Sequence, residues 1–575
     1  MWIELLKSAY YTKESKFTEL ETLPNLELNI KSGNSLITRF DLDIDLSEVL
    51  KSLDFSVQDY KTAVANYKNS SNKKAQEDLD NKIEKIKNSF RANIKNLDKN
   101  YKRRKNLRGE IDAIKNQKDI FKISGDKERK ANLLEKLEME LTKVEHLMDE
   151  IENNKIYNDA FEWRFEFPEV LNNDGNFIGF DAVIGNPPYG ILNKKQNKSE
   201  SIVIPDEELL YYKDNELYAP AQGGMLNIFR LFIVKSISLL KQNGIFSQIF
   251  PLAFTGDISI KKLRKFIFDN TQIHFIEAFP ERDNLNKRVF EAVKMSTCIL
   301  QCQKQTPLPK EQFYLRLNDD RSISHDENKN FLTSEDISFL QPEFLSFPLT
   351  SPIETNILLK TYKNGNRFTK YGYCAVGEVD MTFCKSAFTD DKTKATLLKG
   401  AIIDRYILRK KMSQGEIVYI DEPTLFELKT INMNVINNER IVMQGITGVN
   451  EKIRIKAMIV SGVYCANSLN FLSMEKDINL RYLLGLMNSK LLNFIFKKFN
   501  TNSNVNGYEI NNLPIIEADK ATEKKVISLV EKILHEKPMK SGENKTLLEN
   551  QIDEIVYSLY GLDKQEIDII ESDLY

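Results

Sequence analysis

The sequence runs to 575 residues, too long for one compact unit; at roughly 100–200 residues per domain, several are expected. Hydrophobic residues make up 41% and aromatics 10%, which excludes a mostly disordered chain. With 81 basic against 83 acidic side chains the net charge is −2, so a nucleic-acid partner must be met by local patches and not by a global field.

Residues 1–45 read as helix, loop and strand, with Leu26-Glu-Leu-Asn-Ile30 alternating apolar and polar before a turn at Gly33-Asn34-Ser35-Leu36. From Lys73 to Ile114, apolar residues fall three or four apart at Leu79, Ile83, Ile86, Phe90, Ile94, Leu97 and Tyr101; Leu134, Leu137, Leu141, Val144, Leu147 and Ile151 keep the same beat. This predicts two long amphipathic helices turning at Ser124-Gly125-Asp126, a helical hairpin inserted over 46–158. Residues 159–335 return to alternating strands and helices. Strands are expected at Phe180–Ile184, Ile245–Phe250, Ile273–Ala278 and Thr297–Gln301, with helices over Asn227–Lys241 and Ile260–Asp269 and a polar loop to about Gly223. The fold class is α/β, a partial doubly wound sheet. Residues 336–520 carry many turn signals and read as a strand-rich domain containing a helix over Arg481–Lys498; 521–575 form a helical tail.

No apolar run approaches the roughly 18–20 residues of a bilayer span, and the N-terminus lacks the pattern of a signal peptide. The scattered cysteines Cys298, Cys302, Cys374, Cys384 and Cys465 read as reduced thiols of a cytoplasmic protein, with no metal site expected.

Asn186-Pro187-Pro188-Tyr189 is the strongest motif, a chance match of roughly one in a thousand in a chain this long. It sits just past a buried strand, where open α/β sheets bind ligands. An exocyclic amine on a base is a poor nucleophile because its lone pair is delocalised into the ring. Two acceptors, the Asn186 side-chain oxygen and the Pro187 carbonyl, can hold both N–H protons and localise that pair. Two prolines fix φ and stiffen the loop, and Tyr189 offers a face on which an extruded base can stack.

On these residues the chain resembles the N6-adenine DNA methyltransferases of the gamma arrangement, in particular the methylase and target-recognition parts of Type IIG and IIS restriction-modification enzymes. Further segments carry the resemblance: Leu23-Pro24-Asn25-Leu26 with Gly33–Leu36, Phe161–Pro168, Asp174-Gly175-Asn176-Phe177, Asn227-Ile228-Phe229, Gly244 to Pro251, Arg481–Lys490 and Ile552–Leu562. The resemblance implies methyl transfer from S-adenosyl-L-methionine to a flipped adenine in double-stranded DNA. Asn186, Pro187, Pro188 and Tyr189 would form the catalytic loop. Phe290 would pack on the base, or be an ordinary core residue. Asn34 and Phe232 would lie near the cofactor, or serve as a turn former and a core residue.

The family's Gly-rich cofactor turn has no counterpart: 32 residues precede Gly33 without a Gly-x-Gly pattern, and Gly372, Gly377 and Gly400 stand apart. The chain is therefore expected to need an N-terminal methylase half encoded upstream. The alternative is a non-catalytic recognition subunit or inactive remnant. Methylation of RNA or of glutamine shares the motif's chemistry, but the basic region after residue 340 argues against it. Pro205-Asp206 lacks the partners of a nuclease site. Residues 401–500 hold 14 basic and 9 acidic side chains, and Arg405, Arg409, Lys410, Lys411, Arg454, Lys456, Lys497 and Lys498, interleaved with Tyr406, Tyr464 and Phe496, suggest a DNA-contacting surface. Lys102-Arg103-Arg104-Lys105 on the hairpin reads as a solvated face.

Overall fold

The computed structural model describes residues 11, 13, 16–18, 30–39, 41–42, 55–69, 73–94, 99–116, 126–153, 155–194, 201–323, 328–409, 417–448, 451–500, 503–535 and 543–574. The segment 23–29 and the expected turn at Ser124-Gly125 lie outside them. The chain forms two compact units. One comprises residues 1–184, 190–219 and 226–246; the other comprises 185–189, 220–225 and 247–575.

The first unit contains helices α1 (Val57–Asn69), α2 (Lys73–Ile94), α3 (Lys99–Asn116) and α4 (Asp126–Asn153). The single long helix expected over 73–114 is thus two, and α2 is not part of the expected pair. Its Ile83 and Ile86 pack with Val57, Tyr60 and Val64 of α1 and with Phe165 and Leu171, while Lys87 reaches the Glu166 carboxylate at 3.1 Å. Burial of that apolar stripe against globular structure outweighs continuation of the helix. The two-helix pair is made by α3 and α4 around Leu107, Val144 and Met148. Exposed ion pairs Arg103–Glu140, Arg108–Glu145 and Lys115–Glu138 flank it, each adding little to stability.

Strand β1 (Phe180–Gly185) begins on an aromatic platform: the Phe180 ring meets Trp163 and Phe167 edge-on, with centroids 5.7 and 5.6 Å away. Gly179 takes φ +91°, and a Cβ there would sit 2.5 Å from the Lys241 nitrogen, so the close approach of backbones requires glycine. Residues expected to form only a polar loop contain α5 (Asp206–Asp214) and a 3₁₀ turn over Glu216–Ala221. Pro205 ahead of three consecutive acids is a helix-start signal. Helix α6 (Ile228–Leu239) is capped by Asn227, and strand β2 (Leu240–Pro251) follows without a loop, five residues earlier than expected.

The second unit contains the latter part of β2, then α7 (Lys261–Asn270), β3 (Thr271–Phe279), β4 (Thr297–Lys304), β5 (Phe313–Leu317) and β6 (Lys329–Leu332). The strand order is β1-β2-β4-β3-β5-β6, which leaves β1 at an edge. β3 runs antiparallel to β4 and parallel to β5. This is a mixed sheet of an α/β fold.

After α8 (Pro352–Asn364) the chain is strand-rich. Strands β7 (Gly372–Val376), β8 (Phe388–Thr389), β9 (Ala395–Leu398), β10 (Val418–Ile420), β11 (Arg440–Gln444), β12 (Ala457–Val460), β13 (Tyr464–Cys465) and β14 (Leu469–Met474) form two four-stranded sheets, ordered β7-β14-β11-β12 and β8-β10-β9-β13. The helix expected over 481–498 is broken into α9 (Leu480–Met487) and α10 (Lys490–Phe499). The Asn488 side chain pairs with both backbone groups of Ala457 at 2.9 Å, and the Ser489 hydroxyl accepts from Leu492 N–H to start the next helix. The tail is α11 (Lys520–His535), α12 (Glu543–Tyr560) and α13 (Lys564–Leu574).

Candidate active site

The Asn-Pro-Pro-Tyr loop leaves β1 at Gly185, where a Cβ would meet the Gln248 amide at 3.4 Å. Pro187 is buried and anchors the loop, whereas Asn186 and Pro188 face solvent and Tyr189 is half-buried. The loop thus presents the Asn186 carboxamide outward on a stiff support. The Tyr189 hydroxyl lies 2.7 Å from the Asn186 Oδ1 and 3.0 Å from the Ile249 carbonyl; its one proton can donate to either. Burial, with Cys298 as a lesser neighbour, pushes the Tyr189 phenol well above its ordinary value, so it stays a neutral donor. Phe290 meets Tyr189 edge-on, with ring centroids 6.2 Å apart. Behind Tyr189, the buried Cys298 thiol points at the Pro251 carbonyl, 3.9 Å away, and burial raises its pKa too, so it is not a nucleophile. Phe290, distant in sequence from the Asn186–Tyr189 loop, shares its locality and is half-buried there.

In the first unit, Asn34 is already engaged. Its Oδ1 accepts from Leu36 N–H at 3.1 Å, and its Nδ2 reaches Glu208 Oε1 at 3.1 Å and the Tyr212 hydroxyl at 3.2 Å. Tyr212 donates to the same carboxylate at 2.7 Å, and Tyr211 and Tyr218 grip the backbone of Thr38 and Leu36. Glu208 and Tyr212 escaped the sequence reading; their four-residue spacing behind Pro205 was the available signal. Phe232 is half-buried on α6. Three residues on, Lys235 is buried; desolvation lowers its pKa to about 8 against the pull of Glu162 and Asp41.

A methyl donor such as S-adenosyl-L-methionine needs a glycine turn open to its methionine end. Gly33 and Gly223 are packed against backbone: a Cβ at Gly33 would sit 3.1 Å from the Asp159 carbonyl, and one at Gly223 would sit 2.1 Å from that of Ser259. Neither of these two glycines is open to a methionine end in that way.

The basic residues of 401–500 do not make the expected stripe. Arg454 is 1% exposed, donating to Thr447 at 2.6 Å and Asn500 at 3.0 Å. Arg405 donates to the Asn488 carbonyl at 2.7 Å and faces Glu549. Arg409 pairs with Asp404 and Lys456 with Glu451, while Lys497 and Lys498 bind Asp573. Tyr406, Tyr464 and Phe496 are buried. These groups serve the fold. Lys410 and Lys411 lie outside the described residues. Among the described residues no helix is long and apolar enough to cross a membrane.

Two segments of the chain are similar to known families. Residues 110–285 match the Eco57I restriction-modification methylase and residues 394–515 the TaqI-like C-terminal specificity domain. The chain is 27% identical over 433 residues to RM.MjaORFECS2P of Methanocaldococcus jannaschii, covering 71% of this chain and 33% of that protein. It is 28% identical over 231 residues to the type II methyltransferase M.HincII of Haemophilus influenzae, covering 39% of each. It thus spans well under half the length of these relatives. A solved structure of the Type IIL restriction-modification enzyme MmeI in complex with DNA overlays 74% of this chain and 63% of its own at 12% identity, with a TM-score of 0.39, too loose a likeness to argue from. Along this chain, then, a segment similar to the Eco57I restriction-modification methylase is followed by one similar to the TaqI-like C-terminal specificity domain.

Proposed function

We propose that the chain is the catalytic and target-recognition part of a site-specific DNA methyltransferase acting on the N6 of adenine. The observation that carries this reading is the exposed Asn186 carboxamide on a proline-stiffened loop, beside the paired rings of Tyr189 and Phe290. An adenine drawn out of the duplex would stack on Tyr189 and lie against Phe290, with its amine donating to Asn186 Oδ1 and the Pro187 carbonyl. Extrusion costs a few kcal/mol, offset by stacking and these hydrogen bonds. No strong base is required, because the nitrogen can lose its proton after attack.

The donor in this reading is S-adenosyl-L-methionine, which when bound supplies an electrophilic methyl group. In this reading a further polypeptide segment, encoded upstream, supplies the Gly-rich turn that the sequence lacks ahead of Gly33 and so completes the site. The edge position of β1 supports this: Ile184 is 86% exposed, an unusual place for a large apolar side chain on a free strand edge. The domain division that accompanies the proposal is a partial methyltransferase start over 1–45, the helical insertion over 46–158, a catalytic part over 159–335, target recognition over 336–520 and the tail over 521–575. Such an enzyme works in the cytoplasm on chromosomal DNA.

The test is expression of the gene with its neighbours in a host free of adenine methylation, followed by mapping of N6-methyladenine. Methylation of one sequence motif, lost with Asn186→Ala, is expected. Intact methylation with Asn186→Ala rules out the role given to that side chain. No methylation by the wild-type assembly favours a recognition subunit without turnover.

A further inference from the structure

The segment from Pro280 to Ser296, which carries Phe290, has a feature that the methyl-transfer reading leaves unused. Its tip is tightly built. Glu281 Oε1 accepts from the backbone N–H groups of Asp283 and Asn284 at 2.7 and 3.0 Å; Asn284 Oδ1 accepts from Asn286 N–H at 3.0 Å. The Asn284 carbonyl accepts from Lys287 and Arg288 N–H, closing a single helical turn. The base of the segment is pinned by Ser296 donating to the Pro280 carbonyl at 2.7 Å and by a Lys294–Asp283 ion pair at 2.7 Å.

This rigid turn holds Leu285 out in solvent, 53% exposed. A single exposed leucine is ordinary on a protein surface; here it is held out on an ordered turn and has cations on both sides of it in sequence. Asp283 pairs with Lys294 and also feels Arg282, Glu291 pairs with Arg321 at 3.0 Å, Glu281 caps the turn and Asp320 feels Lys287; the Arg282 and Lys287 side chains are exposed on either side of Leu285 in the sequence. An apolar tip between two cations, five residues from the ring that contacts Tyr189, matches the chemistry of a duplex with a gap in its base stack. Phosphates would meet the cations, and an apolar hole would take the leucine.

We propose that Leu285 is a wedge that enters the base stack where the target nucleotide leaves it, with Arg282 and Lys287 seating the flanking phosphates. This rests on the proposed extrusion of a base at Asn186–Tyr189. It makes Leu285 a positioning residue: it fills the vacated space and raises the cost of the base's return.

The test uses the full chain and two short duplexes of one sequence, intact and with a single abasic site, which presents the hole ready-made. The wild-type chain is expected to bind the abasic duplex about tenfold more tightly, as burial of one leucine side chain suggests. Leu285→Ala should abolish that preference with affinity for the intact duplex within about twofold. Arg282→Gln with Lys287→Gln should weaken both duplexes alike and flatten the salt dependence by about two contacts. Circular dichroism checks that the variants fold. Binding without preference for the abasic duplex, or a preference that survives Leu285→Ala, overturns the wedge while leaving the methyltransferase reading standing. Absence of binding to either duplex overturns both.

Discussion

Under the proposed function Asn186 and Tyr189 would divide the work between a polar and an apolar contact, and their substitutions should separate accordingly. In the proposed reaction the ring of Tyr189 would do the stacking, while its hydroxyl has the Ile249 carbonyl as a second partner besides Asn186. Tyr189→Phe in the complete methyltransferase should therefore keep activity within about tenfold. Tyr189→Ala, which removes a stacking face worth ~1–3 kcal/mol per base, should lose far more. Initial rates on a duplex bearing the methylated motif distinguish the two; equal losses would mean that the hydroxyl, and not the ring, carries the function. Glu208 and Tyr212 act differently, through the turn at Asn34. Glu208→Ala removes the carboxylate that accepts from both the Asn34 amide and the Tyr212 hydroxyl and should lower stability by about 1–3 kcal/mol in urea titration.

Among the elements, α6 and the α9–α10 break carry the clearest physical consequences. Lys235 sits inside α6 with its pKa lowered to about 8, so the folded state disfavours the charged form relative to the unfolded chain. The folded state then binds fewer protons than the unfolded one between about pH 8 and the ordinary lysine value. The resulting destabilisation is fully present below about pH 8 and is relieved as pH rises toward that value. Lys235→Met should accordingly stabilise at pH 7 by an amount on the order of 2 kcal/mol, and the gain should shrink by pH 10. A pH-independent gain in thermal denaturation would contradict the burial argument. Ser489 caps α10, and Ser489→Ala should cost about 1 kcal/mol. The periodicity of Arg481–Lys498 made the helical character legible but not the interruption. Asn and Ser are ordinary residues on a helix surface, and the Ala457 backbone that recruits Asn488 is distant in sequence. The same limit applies to α2, whose apolar stripe gave its period but not its partner.

At the scale of the whole molecule, the α/β sheet, the later strand-rich region and the helical tail were all legible, because hydrophobic period and turn residues set each locally. The approach of Phe290 to Tyr189 was expected only through family resemblance. The basic residues after 400 misled for a physical reason. Charge in a sequence does not say which way it faces, and here Glu549, Asp573, Glu451 and Asp404 neutralise it within the fold. The free edge of β1 bears on assembly. If a further polypeptide completes the methyltransferase there, Ile184→Lys should prevent co-purification with it while leaving the chain folded by circular dichroism. Unimpaired co-purification would place the joint elsewhere.

The central claim, that the Asn186 carboxamide grips an extruded amine, is met most directly by single-turnover methyl transfer. The complete assembly would be measured on a duplex carrying the methylated motif, comparing wild type with Asn186→Ala and following DNA affinity in parallel. The account predicts a rate loss of about 100-fold or more, the scale seen when one preorganised hydrogen-bonding group is removed from a reacting centre, with DNA affinity within about threefold. Transfer by the alanine variant at the wild-type rate would contradict it.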